Sequence, residues 1–328
     1  MNFIYDALGV VFGPIMSAIY QVVQNYGVAI ILFTLFCRIL MLPSAVMQQK
    51  SAAKNQRMQL KMRKMQEKYK DDPQRLRQEQ QDFYQREGYN PMSAGCSGGM
   101  LLQFPIMFGL IAAIYRPLQY TLNIPPKVFT DFLTETANKV FVDDKGKVQQ
   151  LGLQLQMRVV EKFGEFKHLF EPGSAIAAEF GVEKARYWSD AIVDFAGKFQ
   201  LFGLNLGLTP KEGDWRYYLI PVLAGVTAML TSVFTMLRQR KTNPSEKQNF
   251  AMMGCTVLGM PLMSAFFAVS FPVGIGMYWI AGSVFSFIQT VILSYTHPPQ
   301  KMLAKVLVDE TITRRSRENS RKKIAAMD

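Results

Sequence analysis

Cysteine and histidine are scarce in this chain, and its apolar stretches hold no acid. Three cysteines and two histidines occur in 328 residues. Cys37, Cys96 and Cys255 lie in or beside apolar windows without metal-type spacing, and an odd count gives no disulfide framework. His168 and His297 stand alone, so zinc chemistry is not expected. No G-x-x-x-x-G-K-[ST] pattern occurs, which removes the P-loop nucleotide site. The apolar windows contain no Asp, Glu or His. A membrane hydrolase or protease needs such a constellation, so no catalytic residue, metal or cofactor is expected. The start, Met1 to Gly9, lacks a basic n-region and a small-residue cleavage site, so the first helix is expected to be retained. Nothing shows the roughly ten-residue alternating segments of a membrane barrel.

What is present is apolar length. Hydrophobic residues make up 49% of the chain, with 20 Met and 24 Phe. The mean hydropathy of +0.05 averages two populations: nearly charge-free windows and Lys/Arg-rich connections. A bilayer-spanning helix needs about 20 apolar residues. Five windows qualify, at 24–43, 99–120, 217–237, 250–270 and 271–295. The fold class expected is an all-α polytopic membrane protein with five transmembrane helices.

One residue breaks the pattern. Arg38 is the single charge in the run from Gly27 to Pro43. A guanidinium keeps its charge at any relevant pH. Holding it at mid-membrane depth costs between roughly 3 and more than 10 kcal/mol, depending on local water. It persists by facing a wet cavity, finding a partner, or snorkelling. Pro43 lies five residues on, about 7.5 Å along a helix, so the residues alone leave groove and snorkel equally open.

Charge sets the orientation. Residues 44–98 carry eleven Lys/Arg, the 238–249 connection carries Arg238, Arg240, Lys241 and Lys247, and the tail after Pro299 carries eight. With five spans all three lie on one side, which the positive-inside rule makes cytoplasmic. The chain is then N-out and C-in, in a bacterial plasma membrane. Residues 121–214, with eleven Lys/Arg against thirteen Asp/Glu, are near neutral, as a translocated domain can be. Topology and lipid headgroups account for most of the +12 net charge; for the 296–328 tail, ribosomal RNA is a competing partner.

Between the spans the chain reads as follows. Residues 1–23 form an amphipathic helix on the outer interface, interrupted by Pro14, with a full extra span as the alternative. Residues 44–98 form a cytoplasmic helical hairpin. Met58, Met62, Met65 and Tyr69 recur at steps of 4, 3 and 4, and Leu76 and Phe83 continue the seam. Asp71-Asp72-Pro73 turns the hairpin. That Met stripe is a packing seam or an adaptable surface for apolar clients. Residues 121–214 are too long for a bare loop. Helix-like spacing over 151–170 and 174–199 predicts a small helical extracytoplasmic domain. Hydroxyls at Thr227, Thr231, Ser232 and Thr235, with others on each span, fit either a wet interior or ordinary interhelical hydrogen bonds.

Several segments together resemble the YidC/Oxa/Alb family of membrane protein insertases. They are Tyr26-Gly-Val-Ala-Ile30, Thr34 to Arg38, Leu42-Pro43, Asn90-Pro91, Gly95-Cys96 and Leu102 to Ile106. Further on come Tyr217 to Pro221, Met260 to Met263, Phe271 to Gly274, Tyr278-Trp279 and Gln289. Their order and spacing carry the resemblance, which covers the chain except 121–214 and the far tail. Ser-Gly-Gly follows Gly95-Cys96 where the family usually has Leu-Pro, and 121–214 far exceeds the short outer loop of Gram-positive members. The resemblance implies five helices around a hydrophilic groove, open to cytoplasm and lipid and closed to the outside. It makes Arg38 the groove cation and has Thr34 and Trp279, beside Tyr278, line the client path. Gln103 and Gln289 then wet the groove. Its implied partners are nascent membrane proteins, with the ribosome and a secretion translocon as further candidates. The rival reading is a small-solute or anion transporter using Arg38 as its site, for which no internal repeat speaks. Cysteines placed one at a time in a cysteine-free chain test the orientation. Those within 44–98 or after Pro299 should react with an impermeant maleimide from the cytoplasmic side alone, and those within 121–214 from outside alone.

Overall fold

The computed structural model describes residues 2–87, 98–142, 151–242 and 255–325. Residues 88–97, which include the motif residues Asn90-Pro91 and Gly95-Cys96, and the start of the fourth apolar window lie outside the described residues. Helices dominate. In chain order the main ones are α1 (Asn2–Val23), α2 (Tyr26–Leu40), α3 (Leu42–Lys68), α4 (Pro73–Glu87), α5 (Gly98–Tyr115) and α6 (Pro117–Thr121). Then follow α7 (Leu155–Glu161), α8 (Val182–Lys198), α9 (Leu219–Thr242), α10 (Met260–Ser270), α11 (Val273–Thr296) and α12 (Pro299–Ala325). One antiparallel hairpin, β1 (Gln200–Leu201) and β2 (Leu204–Asn205), follows α8.

Two helices are long and apolar enough to cross a membrane, Trp215–Arg238 and Val273–Thr296. A third candidate is the broken pair Tyr26–Leu40 and Leu42–Gln49. Val257–Ser270 and Ala7–Val23 are shorter apolar helices. The architecture is therefore that of an all-α membrane protein with two to three such candidates among the described residues.

The chain divides into two compact units. The first comprises Met1–Ile39, Pro105–Arg238 and Ser245–Phe287; the second comprises Leu40–Phe104, Gln239–Pro244 and Ile288–Asp328.

In the first unit, glycines let helices approach closely. A Cβ on Gly274 would lie 3.6 Å from Ile30 Cδ1, and one on Gly282 would lie 3.5 Å from Arg38 Nη2. These contacts advance together along both helices, so α2 and α11 run parallel. Ile220 presses on Gly276, and the rings of Phe234 and Phe287 meet edge-on at 5.4 Å. Hence α9 runs the same way. The Tyr26 hydroxyl donates to the carbonyls of Ala113 (3.2 Å) and Ile114 (3.1 Å). It thereby satisfies carbonyls that the end of α5 leaves without helical partners, and sets the start of α2 beside the end of α5.

Residues 121–214 pack into this same unit. Among their described residues the helical segments are mostly short, and α8, at 17 residues, is the long one. The stretch expected to be helical from 151 to 170 breaks at Lys162, after α7, into two single turns. Gly181, at φ 94°, separates Ala175–Phe180 from α8. Tyr20, Tyr26, Phe195 and Phe199 form one aromatic cluster with ring centroids 5.3–6.2 Å apart. Backbone N–H groups of Val273 and Gly274, in the first turn of α11, donate to the carbonyls of Leu208 and Leu206, each at 2.9 Å. Those donors would otherwise be orphans of the helix start.

A buried charge network fixes the same segment. Arg158 lies under the Phe141 ring and pairs with Glu161 at 2.7 Å and with Glu212. Burial raises the Glu161 carboxyl above its ordinary range and outweighs the pull of Arg158. Burial also acts to raise Glu212, but hydrogen bonds from Arg158 and Thr209 overcome it and hold this carboxyl low.

In the second unit α12 packs along α3. The hairpin turn has a cap: Asp72 Oδ1 accepts from Arg75 N at 3.0 Å, and Pro73 opens α4. Met62, Met65, Tyr69, Leu76 and Phe83 are all half-buried; the Met58 side chain lies outside the described residues. Tyr69 takes Arg75 over its ring at 5.5 Å and donates to Glu79 at 3.3 Å.

The two carboxyls of the charge network act oppositely on acid stability. A raised folded pKa at Glu161 stabilises the fold as pH falls through the carboxylate range; a lowered one at Glu212 removes stability over that fall. Glu161→Gln should therefore steepen acid unfolding, and Glu212→Gln should flatten or reverse it. Emission of Trp188, buried against Phe180, reports both. Arg158→Met, which leaves two acids without their cation, should destabilise by about 3–5 kcal/mol.

Candidate functional site

The i, i+4 spacing of a helix puts Thr34 and Arg38 on one face of α2, and Tyr278 and Gly282 on one face of α11. These two faces meet. Arg38 is half-buried near the end of α2, with Nη2 beside the bare backbone of Gly282. The titratable side chains near it are Tyr278 and Cys37, both buried. Among the described residues no carboxylate pairs with Arg38.

Thr34 is 1% exposed. Its hydroxyl donates to the Ile30 carbonyl at 2.7 Å, so it meets Gly282 with its methyl, 4.0 Å from the Cβ position. Trp279, one residue past Tyr278 and so about 100° round the helix, turns away towards α10. There it meets Phe271 edge-on at 5.5 Å and Phe267 at 6.4 Å. Gln289 is half-buried further along α11, in the second compact unit, and the Gln103 side chain lies outside the described residues. The structure thus gathers Arg38, Thr34 and Tyr278, and separates Trp279 onto another face.

The residue that sequence reasoning missed is Gly282. A glycine carries no chemistry in one dimension; its i+4 spacing from Tyr278 was the available signal. Three hydroxyls of α9 bond within their own helix. Thr227, Thr231 and Thr235 donate to carbonyls of their own helix at 2.8, 3.1 and 2.8 Å, four residues back. Such back-bonding satisfies a hydroxyl without a second helix.

A model of the 60Kd inner membrane protein family matches residues 18–300. The chain belongs to that family. Within the family it is 27% identical over 274 residues to the membrane protein insertase MisCA of Bacillus subtilis, covering 82% of this chain and 70% of MisCA. It is 26% identical over 275 residues to the membrane protein insertase YidC of Ruegeria sp., covering 84% of this chain and 34% of that relative. A YidC of Granulibacter bethesdensis is 36% identical over 101 residues, 31% of this chain and 17% of the relative. The chain thus spans about a third or less of these two YidC relatives and more than two thirds of MisCA. The resemblance read from Arg38, Tyr278-Trp279 and the neighbouring motifs agrees with this membership.

The Arg38–Gly282 approach makes a graded prediction. A methyl at 282 meets Nη2 at an ordinary contact distance, so Gly282→Ala should leave stability near that of wild type. Gly282→Leu overpacks the contact and should destabilise the fold by about 1–3 kcal/mol, measured by unfolding of the purified protein in detergent.

Proposed function

We propose that this protein is a membrane protein insertase and chaperone of the bacterial plasma membrane, with nascent membrane proteins as clients. The observation that carries the reading is Arg38: a half-buried guanidinium on an apolar helix, beside Tyr278 and Gly282, with no carboxylate partner among the described residues. Membership of the 60Kd inner membrane protein family supports it, as do relatives that bear the name insertase. The transporter reading gains no comparable support.

In this reading five helices span the membrane N-out and C-in and enclose a hydrophilic groove open to the cytoplasm. The parallel course of α2, α9 and α11 agrees with their being spans one, three and five. A client's polar or acidic outer segment enters the groove and is drawn to Arg38. At 4 Å a carboxylate–guanidinium attraction is about 1 kcal/mol in bulk water and about 4 kcal/mol at an effective dielectric of 20. Even partial exclusion of water therefore gives the cation a hold on the client. The client's apolar helix then passes into lipid along α9 and α11. Both present exposed apolar side chains, Val222, Val226 and Leu230 on one and Ile288 and Ile292 on the other. Burial of the client in lipid, at about 25 cal/mol per Å² of apolar surface, drives the step. Thr34, Tyr278 and Trp279 are proposed on the client path, and Gln103 and Gln289 as groove-wetting groups. Ribosome binding by the basic tail, and action beside a translocon, belong to the same proposal.

The test is insertion of a single-span client with an acidic outer tail into proteoliposomes, comparing wild type, Arg38→Lys, Arg38→Ala and bare liposomes. Wild type and Arg38→Lys should insert the client, and Arg38→Ala should lose most of that activity. Wild type inserting no more than bare liposomes would defeat autonomous insertion; equal insertion by all variants would remove Arg38 from the mechanism.

A further inference from the structure

The β1–β2 hairpin carries an aromatic side chain where a tight turn least favours one. Its two central residues, Phe202 and Gly203, have φ of 52° and 75°. Positive φ at both is the mark of a type I′ turn, where Asn-Gly or Asp-Gly is preferred. Phenylalanine in the left-handed region is strained, and Phe202 gains nothing from the protein core, being 85% exposed. A residue costly in backbone conformation and unburied in the fold points to a partner outside the fold.

The hairpin's anchorage says what that partner is. One leg is fixed at the start of α2: Asn25 Nδ2 donates to the Gln200 carbonyl at 3.1 Å, while Asn25 Oδ1 caps α2 by accepting from Val28 N at 3.1 Å. The other leg is fixed at the start of the apolar helix Trp215–Arg238, where Asn205 N donates to the Tyr217 hydroxyl at 2.9 Å. The next residue of the first leg, Leu201, lies against Gly27, close enough that a Cβ there would meet it at 2.6 Å. From Gln200 to Leu201 the strand advances about 3.3 Å, and from Asn25 to Gly27 the helix advances about 3 Å. Strand and helix descend together, so the next step carries Phe202 further down α2. Exposed apolar side chains flank both attachment points, Val22 before Asn25 and Trp215 before Tyr217.

We propose that Phe202 is a membrane anchor: the hairpin tip inserts its ring among the lipid acyl chains just below the headgroups, at the end of the membrane where α2 and α9 begin. The ring gains in lipid what it lacks in the fold, as aromatic side chains do at membrane interfaces. The anchor ties residues 121–214 to the bilayer surface as well as to the helices. The choice of the outer leaflet rests on the N-out orientation of the proposed function.

The test uses the full chain in liposomes, with Phe202→Trp read as the emission added to that of the native tryptophans. That added emission should be several-fold more quenched by lipids brominated near the top of the acyl chain than by aqueous iodide. Quenching by iodide without quenching by brominated lipid places the tip in water and overturns the proposal. Phe202→Asn, the favoured turn residue, serves as the companion variant and should keep the buried Trp188 emission. Loss of that emission in Phe202→Asn would show the ring to be a folding element instead. The leaflet is read separately, by impermeant maleimide on Glu183→Cys, at the far end of α8, about 25 Å away by helix length. Reaction from the cytoplasmic side alone would defeat the proposed orientation while leaving the anchor to the bromine result.

Discussion

A guanidinium on an apolar helix must be solvated by something, and the first compact unit is arranged around that need. Arg38 has no acid to neutralise it among the described residues. Its surroundings are a phenol, a thiol and the bare backbone of Gly282. A carboxylate partner would close the site on itself. In the proposed function that charge is left to a polar segment that enters, and the desolvation cost borne by Arg38 becomes attraction for an acidic client. The threonine hydroxyls of these helices are engaged elsewhere. Thr34 and the threonines of α9 spend their protons on their own helices, which leaves the cation as the dominant polar feature of the contact between α2 and α11.

The other end of the same helices is held by a different kind of interaction. Tyr26 satisfies the last carbonyls of α5, Asn25 caps α2 while holding the hairpin, and the carbonyls of Leu206 and Leu208 satisfy the first donors of α11. Backbone groups that a helix terminus leaves open are thus met by the 121–214 segment and its neighbours. Exposed helix ends in contact with headgroups would find water instead. This tight junction gives the long insertion a structural role that its composition concealed.

Arg38 was legible in the sequence because one charge in an apolar run is a signal that needs no third dimension. The apolar helices and the Asp72-Pro73 turn were legible for similar reasons: hydrophobic length and local backbone chemistry act over short spans. Gly282 was not, because a glycine matters through what approaches it. The place of Trp279 was not legible either. Adjacent to Tyr278 in sequence, it lies on another face of α11, against Phe267 and Phe271. The stretch 151–170 has helical spacing yet breaks at Lys162, and spacing alone does not register such a break, since Phe163, Phe166 and Phe170 are buried beyond it all the same. The number of spans beyond the apolar helices of sufficient length belongs to the proposal.

A double-mutant cycle between protein and client isolates the charge interaction at Arg38. Insertion would be measured for wild type and Arg38→Ala, each with a client carrying an acidic outer tail and with the same client after Asp→Asn replacement in that tail. Charge attraction at Arg38 predicts strong coupling, with the Arg38→Ala defect large for the acidic tail and nearly absent for the neutral one. Equal defects with both tails would mean that Arg38 does not act on client charge, and would contradict the account.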